Sequence, residues 1–211
     1  MNAPGLTPDE LLATTRAVRR RLDVTRPVER HVLEECLRLA QQAPSARNAE
    51  DWHFVVVTER ERRAELGELW RAGAKRFLGP VGRTVARAPG RSARLLASVQ
   101  HLADHIDDVP VHVIPCIEGR TEGKPVRVQA SRWGSIVPAA WSFMLAARSR
   151  GLGTCWTTFH LEREEDAARV LAIPYERVMQ AALIPVAYTV GHGFKPAKRK
   201  PLEKMVHWER W

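Results

Sequence analysis

The chain has 211 residues, of which 45% are hydrophobic and 27% charged, so it can bury one full core and is too apolar for disorder. Its formal net charge of +9, from 33 Lys and Arg against 24 Asp and Glu, suits an anionic ligand. Cys36, Cys116 and Cys155 are odd in number and form no C-x-x-C, which excludes a disulfide framework and a structural zinc site.

A reducing, cytoplasmic setting is therefore expected. The opening M-N-A-P-G-L-T-P-D-E lacks the basic and apolar regions of a secretory signal, and no window approaches the roughly 20 apolar residues of a membrane span. One domain is expected over 1–211, with no membrane partner.

Thr7-Pro8-Asp9-Glu10 is a helix start, with a capping box and Pro at the first helical position. That helix delivers Thr15-Arg16-Ala17-Val18-Arg19-Arg20-Arg21 at its far end. Arginines so crowded repel one another unless an anion sits among them, although an isolated basic cluster is also what a solvated face looks like. Pro27 opens a second helix, Val28 to Gln42, with Val32, Leu33, Cys36, Leu37 and Ala40 as its buried stripe.

Pro44 ends that helix, because it has no N–H and its ring clashes with the preceding turn. The loop Ala43-Pro-Ser-Ala-Arg-Asn48 follows, with Ser45, Ala46 and Asn48 expected to leave backbone N–H groups uncovered. Such a loop, set against a rigid sheet, can hold a polar ligand or simply be a well-made turn. Trp52 to Thr58 reads as a central strand. Thr58 to Glu61 reads as a second capping box, opening a charged helix to about Leu78.

Between Leu69 and Ala103 stand Arg71, Lys75, Arg76, Arg83, Arg87, Arg91 and Arg94 and no acid, a basic helical cover over residues 69–103. It is either a solvated excursion or an entry for an anionic substrate. His101 and His105 fall at i, i+4 spacing, but no H-E-x-x-H accompanies them, and no metal is expected. Val109 to Glu118 is a strand whose two prolines imply an edge or a bulge.

Ser135 to Arg150 reads as a long buried helix, with Pro138 tolerable only in its first turn. Gly151-Leu-Gly-Thr-Cys-Trp-Thr-Thr158 then closes a helix rather than opening one, which disfavours a dinucleotide-binding turn. Gly153 is expected to let backbone approach a ligand. A short helix over Glu162 to Leu171, a strand over Gln180 to Val190 and a basic loop from Lys195 to Pro201 complete the order. Trp208 and Trp211 make a tail, 201–211, too apolar to hang in water.

In this order the pieces resemble the FMN-dependent nitroreductase family. Thr15-Arg16-Ala17-Val18-Arg19 stands in place of R-R-S-V-R, and Ala43, Pro44, Ser45, Asn48 and Trp52 match A-P-S-x-x-N-x-Q-P-W. Gly151, Leu152, Gly153 and Trp156 match G-L-G-x-x-W, and Pro196 and Arg199 match P-x-x-R. Thr15 replaces an Arg, Ala17 a Ser, and Ala49-Glu50-Asp51 the usual x-Q-P; Arg20 or Arg21 is available to make up for lost phosphate contacts.

The resemblance implies an α+β fold, a small mostly antiparallel or mixed sheet flanked by helices, in an intertwined homodimer with the tail on the partner subunit. It implies FMN at the subunit interface, with Arg16, Arg19 and Arg199 on the phosphate and Ala17 and Val18 beside it through backbone. Pro44, Ser45, Ala46 and Asn48 would come from the partner, while Gly153, Cys155, Trp156 and Thr157 line the flavin's edge. The implied reaction passes hydride from NAD(P)H through the flavin to a small nitro, quinone or enone-like acceptor.

No side chain is singled out as catalytic. An oxidase-like dehydrogenase and a non-catalytic flavin store are the alternatives. Nucleic-acid binding lacks any recognisable motif in this sequence.

Overall fold

The computed structural model describes residues 5–79, 90–191 and 193–211. Its centre is a five-stranded antiparallel sheet of β1 (Trp52–Val57), β2 (Val111–Glu118), β3 (Leu152–Thr154), β4 (Val178–Gln180) and β5 (Ile184–Tyr188), in the order β1-β2-β5-β3 with β4 also on β2. The helices are α1 (Pro8–Thr14), α2 (Arg30–Ala40), α3 (Arg60–Leu78), α4 (Arg91–His105), α5 (Val126–Ser149) and α6 (Glu164–Leu171).

Both faces of the sheet are covered. Val111 and Val113 of β2 face Leu33 and Cys36 of α2 and Ala140 and Phe143 of α5. On the other face Ile114 and Cys116 join Leu66 and Trp70 of α3 and Leu102 of α4. Two covered faces explain why these strands read as unbroken apolar runs.

Lateral position follows a different rule, and here the expectations reverse. β2, whose prolines implied an edge or a bulge, is the central strand, buried from Val111 to Ile117, and has the bulge; β1, expected in the centre, is the edge. Burial of a strand's faces says nothing about what lies beside it. Pro115 is tolerated because the register changes there. Val113 pairs with Ile184 and Cys116 with Gln180, so three residues, 181–183, oppose two. The Pro115 carbonyl accepts from the Ala181 N–H at 2.8 Å, and its missing donor falls inside this bulge. The same bulge splits the expected strand 180–190 into β4 and β5.

Thr7 forms the expected capping box with Glu10, but α1 ends at Thr14, so the arginines that follow lie outside the helix, Arg19 to Arg21 in a turn. Thr58 makes no cap; α3 begins after Glu59, which gives no side-chain bond. α5 starts at Val126, nine residues earlier than expected, placing Pro138 deep inside it. The Gly134 carbonyl, four residues back, loses its helical donor, and Gly134 is exposed, which leaves that carbonyl to water.

The basic segment 69–103 is not a cover throughout. Trp70 and Ala74 on α3, and Leu96, Val99, Leu102 and Ala103 on α4, are core residues, and residues 80–89, with Arg83 and Arg87, lie outside the described residues. Among the described residues no helix is long and apolar enough to cross a membrane.

Candidate functional site

After α1 the chain runs extended along β3. The Val18 N–H donates to the Thr154 carbonyl at 2.8 Å, the Asp23 N–H to Tyr188 at 2.8 Å, and the Val190 N–H to the Arg21 carbonyl at 2.9 Å. This seating needs Gly153. A Cβ there would meet Thr189 Cγ2 at 2.7 Å, Val18 Cγ1 at 3.0 Å and Leu22 Cδ2 at 3.1 Å. The close approach expected of Gly153 is thus made by the protein's own chain, and the Val18 N–H is engaged with the sheet.

The arginines on this segment diverge. Arg16 is exposed, and its guanidinium donates to the Lys195 carbonyl at 2.6 Å, joining the first basic segment to the last across 179 residues. Arg199 follows four residues on, exposed and with no partner among the described residues. Arg19 reaches the Ser98 hydroxyl on α4 at 3.5 Å, the limit of a hydrogen bond, and its charge also bears on the Cys155 thiol.

Arg21, one of the two candidates to replace lost phosphate contacts, is instead bound to the Val190 and Gly193 carbonyls at 2.7 and 2.9 Å and lies over the Phe194 ring. Thr15 is buried and donates to the Leu11 carbonyl. Among the described residues no carboxylate pairs with Arg16, Arg19 or Arg199. Guanidiniums without counter-charge, with Arg16 reaching the backbone four residues before Arg199, suit a bound phosphate.

The turn after β3 is rigid. Thr157 exchanges both backbone bonds with Leu183, at 3.1 and 2.9 Å; its hydroxyl donates to the Leu183 carbonyl at 2.6 Å and accepts from Trp70 Nε1 at 2.9 Å. The Cys155 side chain is fully buried, and burial pushes its thiol up to about 11, so it is inert packing. Cys155 therefore offers a ligand its backbone and not its side chain, and Thr157 is engaged through backbone and hydroxyl alike. Trp156 is half-buried and packs toward Trp52 and Ile136.

Beside this turn lie two buried histidines that sequence reasoning passed over. His112 donates from Nε2 to the Ile106 carbonyl at 2.9 Å, and burial lowers its pKa to about 4. His160 has no hydrogen-bond partner on either ring nitrogen; burial, then the nearby His112, lowers its pKa to about 3. His112 was legible only as an alternate position in an apolar strand, and His160 carried no signal.

The Ser/Asn loop is built on α5. The Ala46 N–H donates to the Ser135 hydroxyl at 2.9 Å, which donates in turn to the Ser131 carbonyl at 2.8 Å. The Ser45 hydroxyl accepts from the Glu50 N–H at 3.0 Å, and the Asn48 N–H donates to the Ser45 carbonyl at 3.0 Å. The N–H groups of Ala46 and Asn48, expected to be uncovered, are thus engaged. Arg47, Asn48 and Glu50 all have positive φ, at 59°, 53° and 51°. Left-handed backbone in three non-glycine residues of one loop is strain that the surrounding bonds hold in place, the kind found at ligand sites.

Among the described residues no hydrogen bond or ion pair links this loop to Arg16, Arg19, Cys155, Trp156 or Arg199. A cleft of about 860 Å³ opens on the far face of β1 and β2, lined by His53, Val55, Cys116, Arg120, Arg132 and Ile173, and it contains none of the motif residues.

An α+β fold of one antiparallel sheet between helical layers, with an arginine-rich segment along β3 and a strained polar loop before β1, defines the class. The nitroreductase family model matches residues 12–192, and the chain belongs to that family. An NADH dehydrogenase of Thermus thermophilus is 28% identical over 86% of this chain and 87% of its own. A 4-nitrobenzoate reductase of Nocardioides sp. is 27% identical over 81% and 76%. The crystal structure of a point variant of an FMN- and NADPH-dependent nitroreductase from Sphigopyxis sp. strain HMH superposes with a TM-score of 0.70 at 21% identity, covering 98% of this chain and 100% of that one. The resemblance carried by the four motifs is borne out, and so is the α+β fold.

Proposed function

We propose that the protein is an FMN-dependent oxidoreductase that takes electrons from NAD(P)H and delivers them to a small acceptor. The observation that carries this reading is the Arg16 guanidinium on the Lys195 carbonyl, which gathers basic groups from both ends of the chain with no acid among them. Arg16, Arg19 and Arg199 hold the phosphate; Ala17, exposed beside Arg16, borders it. Cys155 and Trp156 present their backbone to the flavin's edge, while Gly153, paired in the sheet, and Thr157, bonded to Leu183, hold that turn in place. Bound flavin supplies hydride acceptance from the nicotinamide and electron transfer to the acceptor.

The site is completed by a second copy. The loop that carries Pro44, Ser45, Ala46 and Asn48 is bonded to α5 through Ala46 and, among the described residues, not to the arginine segment, so it serves the neighbouring protomer. Val137 and Trp141 on the outer face of α5 are each 40% exposed, and Trp208 and Trp211 of the tail are 82% and 101% exposed. Such apolar area calls for a partner surface. The chain's own contribution to chemistry is position: the Trp70–Thr157–Leu183 clamp fixes the turn that carries the flavin's edge, and the arginines fix the phosphate.

The acceptor is a nitro compound, quinone or enone of similar size, and the relatives' names support the first. The visible spectrum before and after anaerobic NADPH tests all of this: two flavin bands that fade on addition support the reading, and a colourless monomer that ignores FMN removes it. Arg94, exposed on α4 near Ser98, favours the extra phosphate of NADPH, so kcat/KM for NADPH is expected to exceed that for NADH.

A further inference from the structure

We propose that the acceptor carries a carboxylate, held by Arg47 and Arg127 of the subunit that lends its Ser45–Asn48 loop. The inference rests on the flavin reading above, because that reading brings the loop against the neighbouring flavin. Next to the loop is a cavity of about 180 Å³ lined by Ala46, Arg47, Arg127, Val128, Ser131 and Arg132, among others. A space of this size suits a single substituted ring.

Its charges do not balance internally. Arg132 donates to the Glu118 carbonyl and lies 3.8 Å from Asp51, so those two groups offset each other. Arg47 and Arg127 are exposed and have no hydrogen bond or ion pair from their side chains among the described residues, and the first turn of α5 contains no acid. Arg47 is held at φ 59° by a loop whose own N–H groups are engaged, so its side chain leaves the backbone in a fixed direction. Two guanidinium forks over an apolar wall at Val128 match a planar carboxylate on an aromatic ring.

The test compares 4-nitrophenylacetate with its methyl ester as acceptors, using the full-length flavin-loaded protein. The methylene separates carboxylate from nitro group, so the two differ in charge with little change in the ease of reduction. One hydride from NADPH and one proton from solvent convert nitro to nitroso and release water, so NADPH oxidation reads the rate of both. In the wild type the acid is expected to exceed the ester in kcat/KM.

In Arg127→Ala and Arg47→Ala that acid-to-ester ratio falls about ten-fold, or about 1.4 kcal/mol, and Arg127→Lys recovers only part of it. Added salt lowers the wild-type ratio and leaves the doubly substituted protein unaffected. A ratio near one in the wild type, or one unchanged by the substitutions, overturns the proposal while NADPH still bleaches the flavin. A raised KM for NADPH at constant ratio assigns the arginines to the donor and also overturns it. Failure to bind or bleach flavin sinks the underlying reading, and this inference with it.

Discussion

The two segments that the proposed site draws on are held in opposite ways. The arginine segment, Arg16 to Asp23, is stitched to β3 and β5 and seated over Gly153, so its shape follows from the core beneath it. The loop from Pro44 to Asp51 is exposed over most of its length and keeps its shape through hydrogen bonds of its own, one bond from Ala46 to Ser135 on α5, and three left-handed residues. A half built on the core fails when the core fails. A half built on strain can be altered with little loss of stability, and its loss shows in binding first.

The largest expected effect tests the first statement. His112 and His160 sit beneath the turn after β3, and both are neutral in the folded protein, with pKa values lowered to about 4 and about 3. In the unfolded chain both protonate below about 6.5, so the unfolded state binds more protons and stability falls as pH drops through the window from about 6.5 to about 4. Each histidine contributes a slope of about 1.4 kcal/mol per pH unit, for a combined loss of about 5 kcal/mol at pH 4.5 relative to pH 7.5. Urea unfolding at several pH values measures it, and His160→Phe should remove about half the slope.

Next in size is Gly153→Val. Overpacking against Thr189, Val18 and Leu22 costs about 1–3 kcal/mol, and relief comes by lifting the arginine segment off β3. The purified protein is expected to be both less stable and colourless. Retained flavin at wild-type occupancy would mean that the arginines do not depend on this seating. Arg16→Ala acts on the same half without disturbing the core. Loss of a charge-assisted contact to phosphate costs about 1.5–3 kcal/mol, so FMN affinity should fall by at least ten-fold with an unchanged melting temperature, and titration of the apoprotein with FMN reads it.

The same contrast explains what the sequence made legible. What was visible as motif and pattern stands: the capping box at Thr7, the Cys36 stripe and the family resemblance over residues 12–192. What failed was information that no local pattern carries. Pro115 named a bulge but not which strands flank it, because hydrogen-bond partners beside a strand are set by long-range pairing. Pro138 looked like a helix boundary, yet an exposed Gly134 carbonyl removed the penalty that the rule assumes. Gly153 was read for a ligand because an approaching backbone and an approaching cofactor demand the same missing Cβ. The uncovered N–H groups expected at Ala46 and Asn48 were engaged by Ser135, 89 residues away from Ala46, and by Ser45.

The smallest effect is the sharpest discriminator between the two halves. At Asn48 the backbone has φ 53°, a conformation glycine adopts freely, so Asn48→Gly relieves strain; its greater freedom in the unfolded chain offsets part of that gain. The net change in stability should lie within about 0.5 kcal/mol of zero. The side chain's reach to Glu50, 3.3 Å from amide nitrogen to carboxylate oxygen, is lost, and with it the polar group that the neighbouring protomer's flavin would meet. FMN affinity should therefore weaken about three- to ten-fold in a protein that melts where the wild type melts. Were Asn48 only a turn residue, the glycine variant would bind flavin as the wild type does, and the strained geometry would belong to the loop's own folding.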